Sequence, residues 1–249
     1  MRWFGVVQVL GVLAVAAGPA TAATGPGRLF DPALRLPRSA PGVTRVALTF
    51  DACDGKVDRR ILDVLEADAI PATIFVSGKW LARNPQTFAE LLSHPDLFEI
   101  EDHGARHVPA VGFPTRVYGL KAAGSPAAVQ AEVQGGAEAL LAAGAGNPHW
   151  FRGAAAKYDA AAMTQIEAAG YRIGGYSRNG DGGASFSTAL AEKTVAAAQD
   201  GDVILAHLNQ PRRPAGAGVA AGIAALKARG VAFVRLEDAF PDTQSGSGR

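Results

Sequence analysis

Residues 46–55 read Val-Ala-Leu-Thr-Phe-Asp-Ala-Cys-Asp-Gly, an apolar and β-prone run that ends in two carboxylates three apart. An apolar run without polar alternation marks a strand buried on both faces, as in a parallel sheet covered by helices. In parallel α/β folds the functional groups sit just beyond the carboxyl ends of the strands. Asp51 and Asp54 are therefore expected to form half of a site, and later strand ends should supply the other half.

The rest of the chain alternates between short β-type runs and helical patterns. Strands are expected at 72–76, 97–100, 150–152, 172–176, 203–206 and 232–234. Helices are expected at 59–67 with Asp58 as N-cap, at 85–93 with Pro85 in the first turn, and at 126–143. Further helices are expected at 160–169 after Asp159, at 188–198, and at 218–229 closed by Gly230. Residues 108–125 form a long irregular excursion of the kind that is often functional. This pattern predicts an α/β fold. No Gly-x-Gly-x-x-Gly turn follows the first strand, and acids at strand ends suit a barrel mouth. The expected architecture is a single-domain distorted (β/α) barrel, with a parallel strand core and the active site at the C-terminal strand ends.

Composition bounds the setting. The chain has 249 residues and a formal net charge of +1, so bulk charge makes no case for nucleic acid or an anionic membrane surface. Met1-Arg2, an uncharged apolar stretch, and Ala20-Thr21-Ala22 read as a secretory signal peptide over 1–22, with export to a periplasm or beyond and no stable membrane span after cleavage. Residues 23–43 are rich in Pro and Gly and read as an extended linker lying on the domain. The domain itself covers 44–240, and 241–249 is a polar, frayed tail. Cys53 is the single cysteine, so no internal disulfide forms. It reads as a small buried side chain rather than a third metal ligand or a nucleophilic thiol, either of which would make Asp54 and the histidine pair redundant. Nothing in the sequence fixes the oligomeric state.

The candidate site residues follow strands. His103 and His107 stand four apart, and one helical turn would aim both imidazoles the same way, as a metal-binding pair requires. Zinc takes imidazole and carboxylate ligands, and Asp54 would complete a His-His-Asp set. Arg152 follows Trp150-Phe151, Asn179 and Asp181 follow the strand ending at Tyr176, and His207 follows a buried run. His94 and His149 lack such a setting and read as structural or surface residues.

These segments, in this order, resemble the polysaccharide deacetylase family (carbohydrate esterase family 4, the chitooligosaccharide deacetylase homology domain), over roughly residues 43–240. The family's Thr-Phe-Asp-Asp-Gly stands as Thr49-Phe50-Asp51-Ala52-Cys53-Asp54-Gly55, and its His-x-x-x-His as His103 to His107. Its Arg-x-Pro-Tyr stands as Arg152-Gly153-Ala154-Ala155, and its Leu-x-His as Leu205-Ala206-His207. The resemblance implies a metal-dependent hydrolase that removes acetyl groups, as N-acetyl amides or O-acetyl esters, from an exported or cell-envelope polysaccharide or oligosaccharide. It implies Asp51 as general base, Arg152 as its orienting partner and His207 as general acid. It also implies a divalent metal, Zn2+ above others, held by Asp54, His103 and His107. Two alternatives stand beside it: a carbohydrate-binding protein on the same scaffold that has lost catalysis, and a C–N hydrolase of a small non-sugar amide. The departures from the family pattern mark a divergent subgroup. Ala52 and Cys53 separate acids that are adjacent in the family, which leaves Asp51 and Asp58 as alternative metal donors. Ala155 takes the tyrosine's place, so the oxyanion donor is unassigned, and either Asn179 or Asp181 supports His207.

Overall fold

The computed structural model describes residues 28–241 together with Met1. The leader read at 1–22 and the tail after 241 lie outside the described residues, apart from Met1. The chain opens with β1 (Arg45–Ala52), α1 (Arg59–Ala67), β2 (Ala72–Val76), α2 (Gly78–Arg83), α3 (Pro85–Leu92) and β3 (Phe98–Asp102). A hairpin of β4 (Arg116–Val117) and β5 (Leu120–Lys121) follows, then α4 (Pro126–Ala142), β6 (Trp150–Phe151), α5 (Ala160–Ala168) and β7 (Arg172–Ile173). The last elements are β8 (Arg178–Asn179), α6 (Thr188–Ala196), β9 (Val203–His207), α7 (Ala215–Ala228), β10 (Ala232–Val234) and α8 (Leu236–Ala239).

The main sheet runs β7-β6-β3-β2-β1-β9-β8, with β10 pairing the start of β1, and all its pairings are parallel. This is the expected α/β single domain, a parallel sheet curved into a distorted barrel. β1 lies at its centre and is buried on both faces, because each face meets a different core. Val46, Leu48, Phe50 and Ala52 pack outward against Ile61, Leu62 and Leu65 of α1. Ala47 points inward, to Phe75, Val203 and Leu236. Side chains alternate along a strand, so Thr49 and Asp51 share the inward face with Ala47.

Parallel register aligns the carboxyl ends. Asp51 pairs with His207 across β1–β9, Val76 with Asp102 across β2–β3, and Asp102 with Phe151 across β3–β6. Asp51, His207, the turn after Asp102 and Arg152 therefore emerge on one rim.

The barrel stays open between its edge strands β7 and β8, and the segment read as a linker runs along that opening. Phe30 exchanges backbone hydrogen bonds of 2.8 and 3.1 Å with Tyr158. Leu34 N donates to Tyr176 O at 3.3 Å, and Leu36 N to Gly201 O at 2.9 Å. The Leu36 side chain joins the inner core.

Several local expectations shift. The His103–His107 segment is not helical. β7 covers only Arg172–Ile173; Gly174 N still donates to Phe151 O at 2.9 Å, but the carbonyls of Gly174 and Gly175 accept from Arg152. α7 starts at Ala215 rather than 218. α2, capped by Ser77, and α8 were not anticipated. The excursion at 108–125 contains the β4–β5 hairpin.

Candidate active site

Asp51 is 4 % exposed. Its Oδ1 accepts from Arg152 Nη1 at 2.9 Å, and its Oδ2 lies 3.7 Å from His103 Nε2. Arg152 is fully buried and immobilised. Its Nε donates to Gly174 O at 2.7 Å, its Nη2 donates to Gly175 O at 3.1 Å, and its guanidinium lies 4.0 Å from the centre of the Phe75 ring. Burial works to raise the Asp51 pKa, but the charges of His103, Arg152 and His207 outweigh it and hold the carboxyl below its usual range.

His103 follows β3 on the inward parity. Its Nδ1–H donates to Arg152 O at 2.5 Å, which turns Nε2 toward Cys53, 3.5 Å from its Sγ. Burial acts to lower its pKa, but Asp51 and Cys53 more than compensate, and it is pushed up to about 9. His107 reaches the same place through a loop. Gly104 at φ +83° turns the chain, and His107 itself sits at φ +58°, a costly conformation for a residue with a Cβ. The two rings stand 4.8 Å apart between centroids. The pair is thus aimed together by a strained loop rather than by helical spacing.

Beside Asp51, on the neighbouring strand β9, His207 Nδ1–H donates to Asp181, 3.0 Å from Oδ1 and 3.1 Å from Oδ2. Asp181 Oδ2 also accepts from His207 N at 2.7 Å. Burial opposes protonation of His207, but its hydrogen bonds to Asp181 and Cys53 and their charges raise its pKa well above the usual value. Asn179 instead accepts from Gly182 N at 2.8 Å, so of the two candidates it is Asp181 that bonds the His207 ring.

Asp54 is not brought to the histidines. Its Oδ2 meets Lys79 Nζ at 2.7 Å, its Oδ1 is bound by Arg83, and it lines a separate cavity with Arg83 and Arg212. The physical reason is parity: residues 51 and 53 leave β1 on its inner face, whereas 54 turns outward to α2. Asp58 is likewise occupied, capping α1 and pairing with Arg60 at 2.5 Å. Among the described residues, two groups of donor atoms lie within 4.8 Å of one another: Cys53 with His103 and His107, and Asp51 with Cys53 and His207. Cys53 is the small buried side chain expected from the sequence, but that reading did not place it in these two groups, although strand alternation from Asp51 could have shown it.

Asp51, Cys53, His107 and His207 line a cavity of about 470 Å³. Its wall includes residues that motif reasoning did not reach: Tyr118 from the β4–β5 hairpin, Tyr176, and Asp31, which bonds Lys157 at 2.8 Å. In the third motif Tyr158 lies beneath the wall, its Oη accepting from Gly153 N at 2.7 Å. Ala155 is at φ +64° on the cavity lining.

Residues 38–174 match the family model for polysaccharide deacetylase. None of the curated proteins compared matches the chain. Among solved structures, a CE4 family pseudoenzyme from Bacillus anthracis is similar with a TM-score of 0.66 at 18% identity, covering 81% of this chain and 67% of that one. A family 4 carbohydrate esterase from Streptomyces lividans, in complex with acetate, gives 0.61 at 22% identity over 76% of this chain and 91% of that one. The Bc1960 peptidoglycan N-acetylglucosamine deacetylase gives 0.67 at 20% identity over 84% of this chain and 92% of that one. With the family model covering more than half its length and these folds superposing on its barrel, the chain belongs to the polysaccharide deacetylase family.

Proposed function

We propose that the chain is a metal-dependent hydrolase that removes acetyl groups from an acetylated carbohydrate outside the cytoplasm. The observation that supports this best is a pair of neighbours on one cavity wall: Asp51 held by Arg152, and His207, its register partner on β9, held by Asp181. Asp51 is kept ionised and acts as the general base that takes a proton from the attacking water. His207, kept protonated by Asp181, gives a proton to the departing amine or alcohol. Acetate and a free amino or hydroxyl group leave. Arg152 does not touch substrate; it holds the Asp51 carboxylate.

His103 and His107 fit a divalent cation, zinc first, since His103 Nδ1 is committed to a carbonyl and its Nε2 is left on the side where the donor atoms of Cys53 and His107 gather. Such an ion supplies a polarised carbonyl and a more acidic water when bound. Export rests on the leader read at 1–22, and the N-terminal sequence of the secreted chain checks it.

Acetate release from a panel of acetylated oligosaccharides, compared with small acetamides, tests the reading. Release from glycans that falls on the order of 10²-fold or more in Asp51→Asn supports it. Glycan binding without acetate release, unchanged by Asp51→Asn, would instead make the chain a binding protein. The Ala154-Ala155 departure in the third motif favours that second reading. Activity confined to small amides would make it a non-sugar C–N hydrolase.

A further inference from the structure

Beyond the histidine pair, the described residues offer no carboxylate that completes a three-donor set with both histidines. Asp54, the expected third donor, is neutralised by Lys79 and Arg83 on the far side of the strand end. Asp51 is engaged by Arg152. What stands beside both histidines is a sulfur. Cys53 is 7 % exposed and faces the cavity. Its Sγ lies 3.5 Å from His103 Nε2, and it shares with His103 and His107 a set of donor atoms all within 4.8 Å of one another. Zinc with sulfur at ~2.3 Å and imidazole nitrogen at ~2.0–2.1 Å in tetrahedral angles holds those donors roughly 3.6 Å apart. The 3.5 Å between Sγ and Nε2 is already close to the spacing of two ligands on one ion.

We propose that Cys53 is the third metal ligand of this site, giving a Cys-His-His set in which a thiolate replaces the expected carboxylate. This rests on the metal-dependent reading above and goes further by naming the donor. A thiolate selects for soft or borderline cations, so the site discriminates for zinc and cobalt over magnesium and manganese. It also puts the metal and the acid–base pair on one shared atom, because Cys53 belongs as well to the group with Asp51 and His207.

Cobalt(II) provides a readout other than activity. The purified full chain, stripped of metal and titrated with cobalt, should bind one ion and show an intense near-ultraviolet thiolate-to-cobalt band above the visible d–d bands. Cys53→Asp should keep the ion and lose only the near-ultraviolet band. Cys53→Ser should lose the band and bind at least roughly tenfold more weakly, a hydroxyl being a poorer donor than a thiolate. Neither variant is needed for a second measurement on the unaltered chain, in which cobalt should slow alkylation of Cys53 by iodoacetamide by about tenfold or more. Three results overturn the inference while leaving the metal reading intact: the same cobalt spectrum in the unaltered chain and in Cys53→Asp, alkylation unaffected by bound cobalt, or an acetyl thioester trapped on Cys53 with an activated acetyl ester. If the unaltered chain binds no cobalt or zinc, the metal reading itself fails and this inference goes with it.

Discussion

Asp51 and His207 occupy opposite protonation states because of their second partners. Burial alone would push Asp51 toward neutrality; His103, Arg152 and His207 prevent it. Removing the guanidinium in Arg152→Met therefore raises the Asp51 pKa. The acid limb of the pH–rate profile should move to higher pH, with acetate release falling on the order of 10²-fold at neutral pH. His207 shows the mirror image. Its pKa is raised against burial by Asp181 and Cys53, so Asp181→Asn should bring the alkaline limb to lower pH, the protonated acid being lost earlier. A merely structural Asp181 would lower the rate without moving that limb. At this scale the motif positions Asp51, Arg152 and His207 were legible because each directly follows or ends a buried strand. The choice between Asn179 and Asp181 was not, since both lie in one Gly-rich turn and only the fold shows which carboxylate or amide reaches the imidazole.

Strand alternation decides which residues the barrel interior receives. On β3 the inward parity carries Glu99 and Glu101 into the lumen beneath His103. Thr73 Oγ1 donates to Glu99 Oε2 at 2.6 Å, and His149 N and Trp150 N donate to Glu101 Oε2 at 2.8 and 2.7 Å. Burial, and then repulsion from Glu99, pushes Glu101 up to about 10, and burial raises Glu99 as well. The pair therefore holds a proton at neutral pH. A group whose folded pKa is raised contributes stability that is fully present below its unfolded pKa, here about 4.5, and is lost as pH rises through the folded one, about 10. Glu101→Gln keeps an acceptor for both backbone N–H groups and removes the titration. Its melting temperature should match the unaltered chain near about pH 4 and exceed it increasingly up to about pH 9. A parallel fall of both proteins with pH would show that the pair does not titrate in this range. The same alternation explains Cys53 and Asp54: one residue of register separates a cavity-facing sulfur from a carboxylate spent on Lys79 and Arg83.

Across the molecule, the segment before β1 is tied to the barrel by backbone bonds and one buried side chain. Its backbone bonds to Tyr158, Tyr176 and Gly201 span the opening between the edge strands, where unpaired N–H and C=O groups would otherwise face solvent. It also carries Asp31 to the cavity wall. Leu36, 6 % exposed in the inner core, anchors it. Leu36→Ala should cost about 2–4 kcal/mol in urea unfolding, as for other buried leucines. A loss below about 0.5 kcal/mol would mean the segment is a passive strap. No helix among the described residues is long and apolar enough to cross a membrane.

The sequence by itself determined the class of fold and the rim on which chemistry gathers. Those depend on local signals: unbroken apolar runs, helical periodicity between them, and polar residues at strand ends, all of which survive without knowing what lies opposite. The tertiary structure alone decided which donors converge. Asp54 fits a three-ligand set in the linear motif and is taken away from it by the outward turn to α2. Cys53 looks inert in the linear motif and is carried by the inward face of β1 to the histidines. His103 and His107 meet through a loop at positive φ that no helical spacing describes. Convergence is a property of register and turn geometry between residues some fifty positions apart, and no local pattern records it.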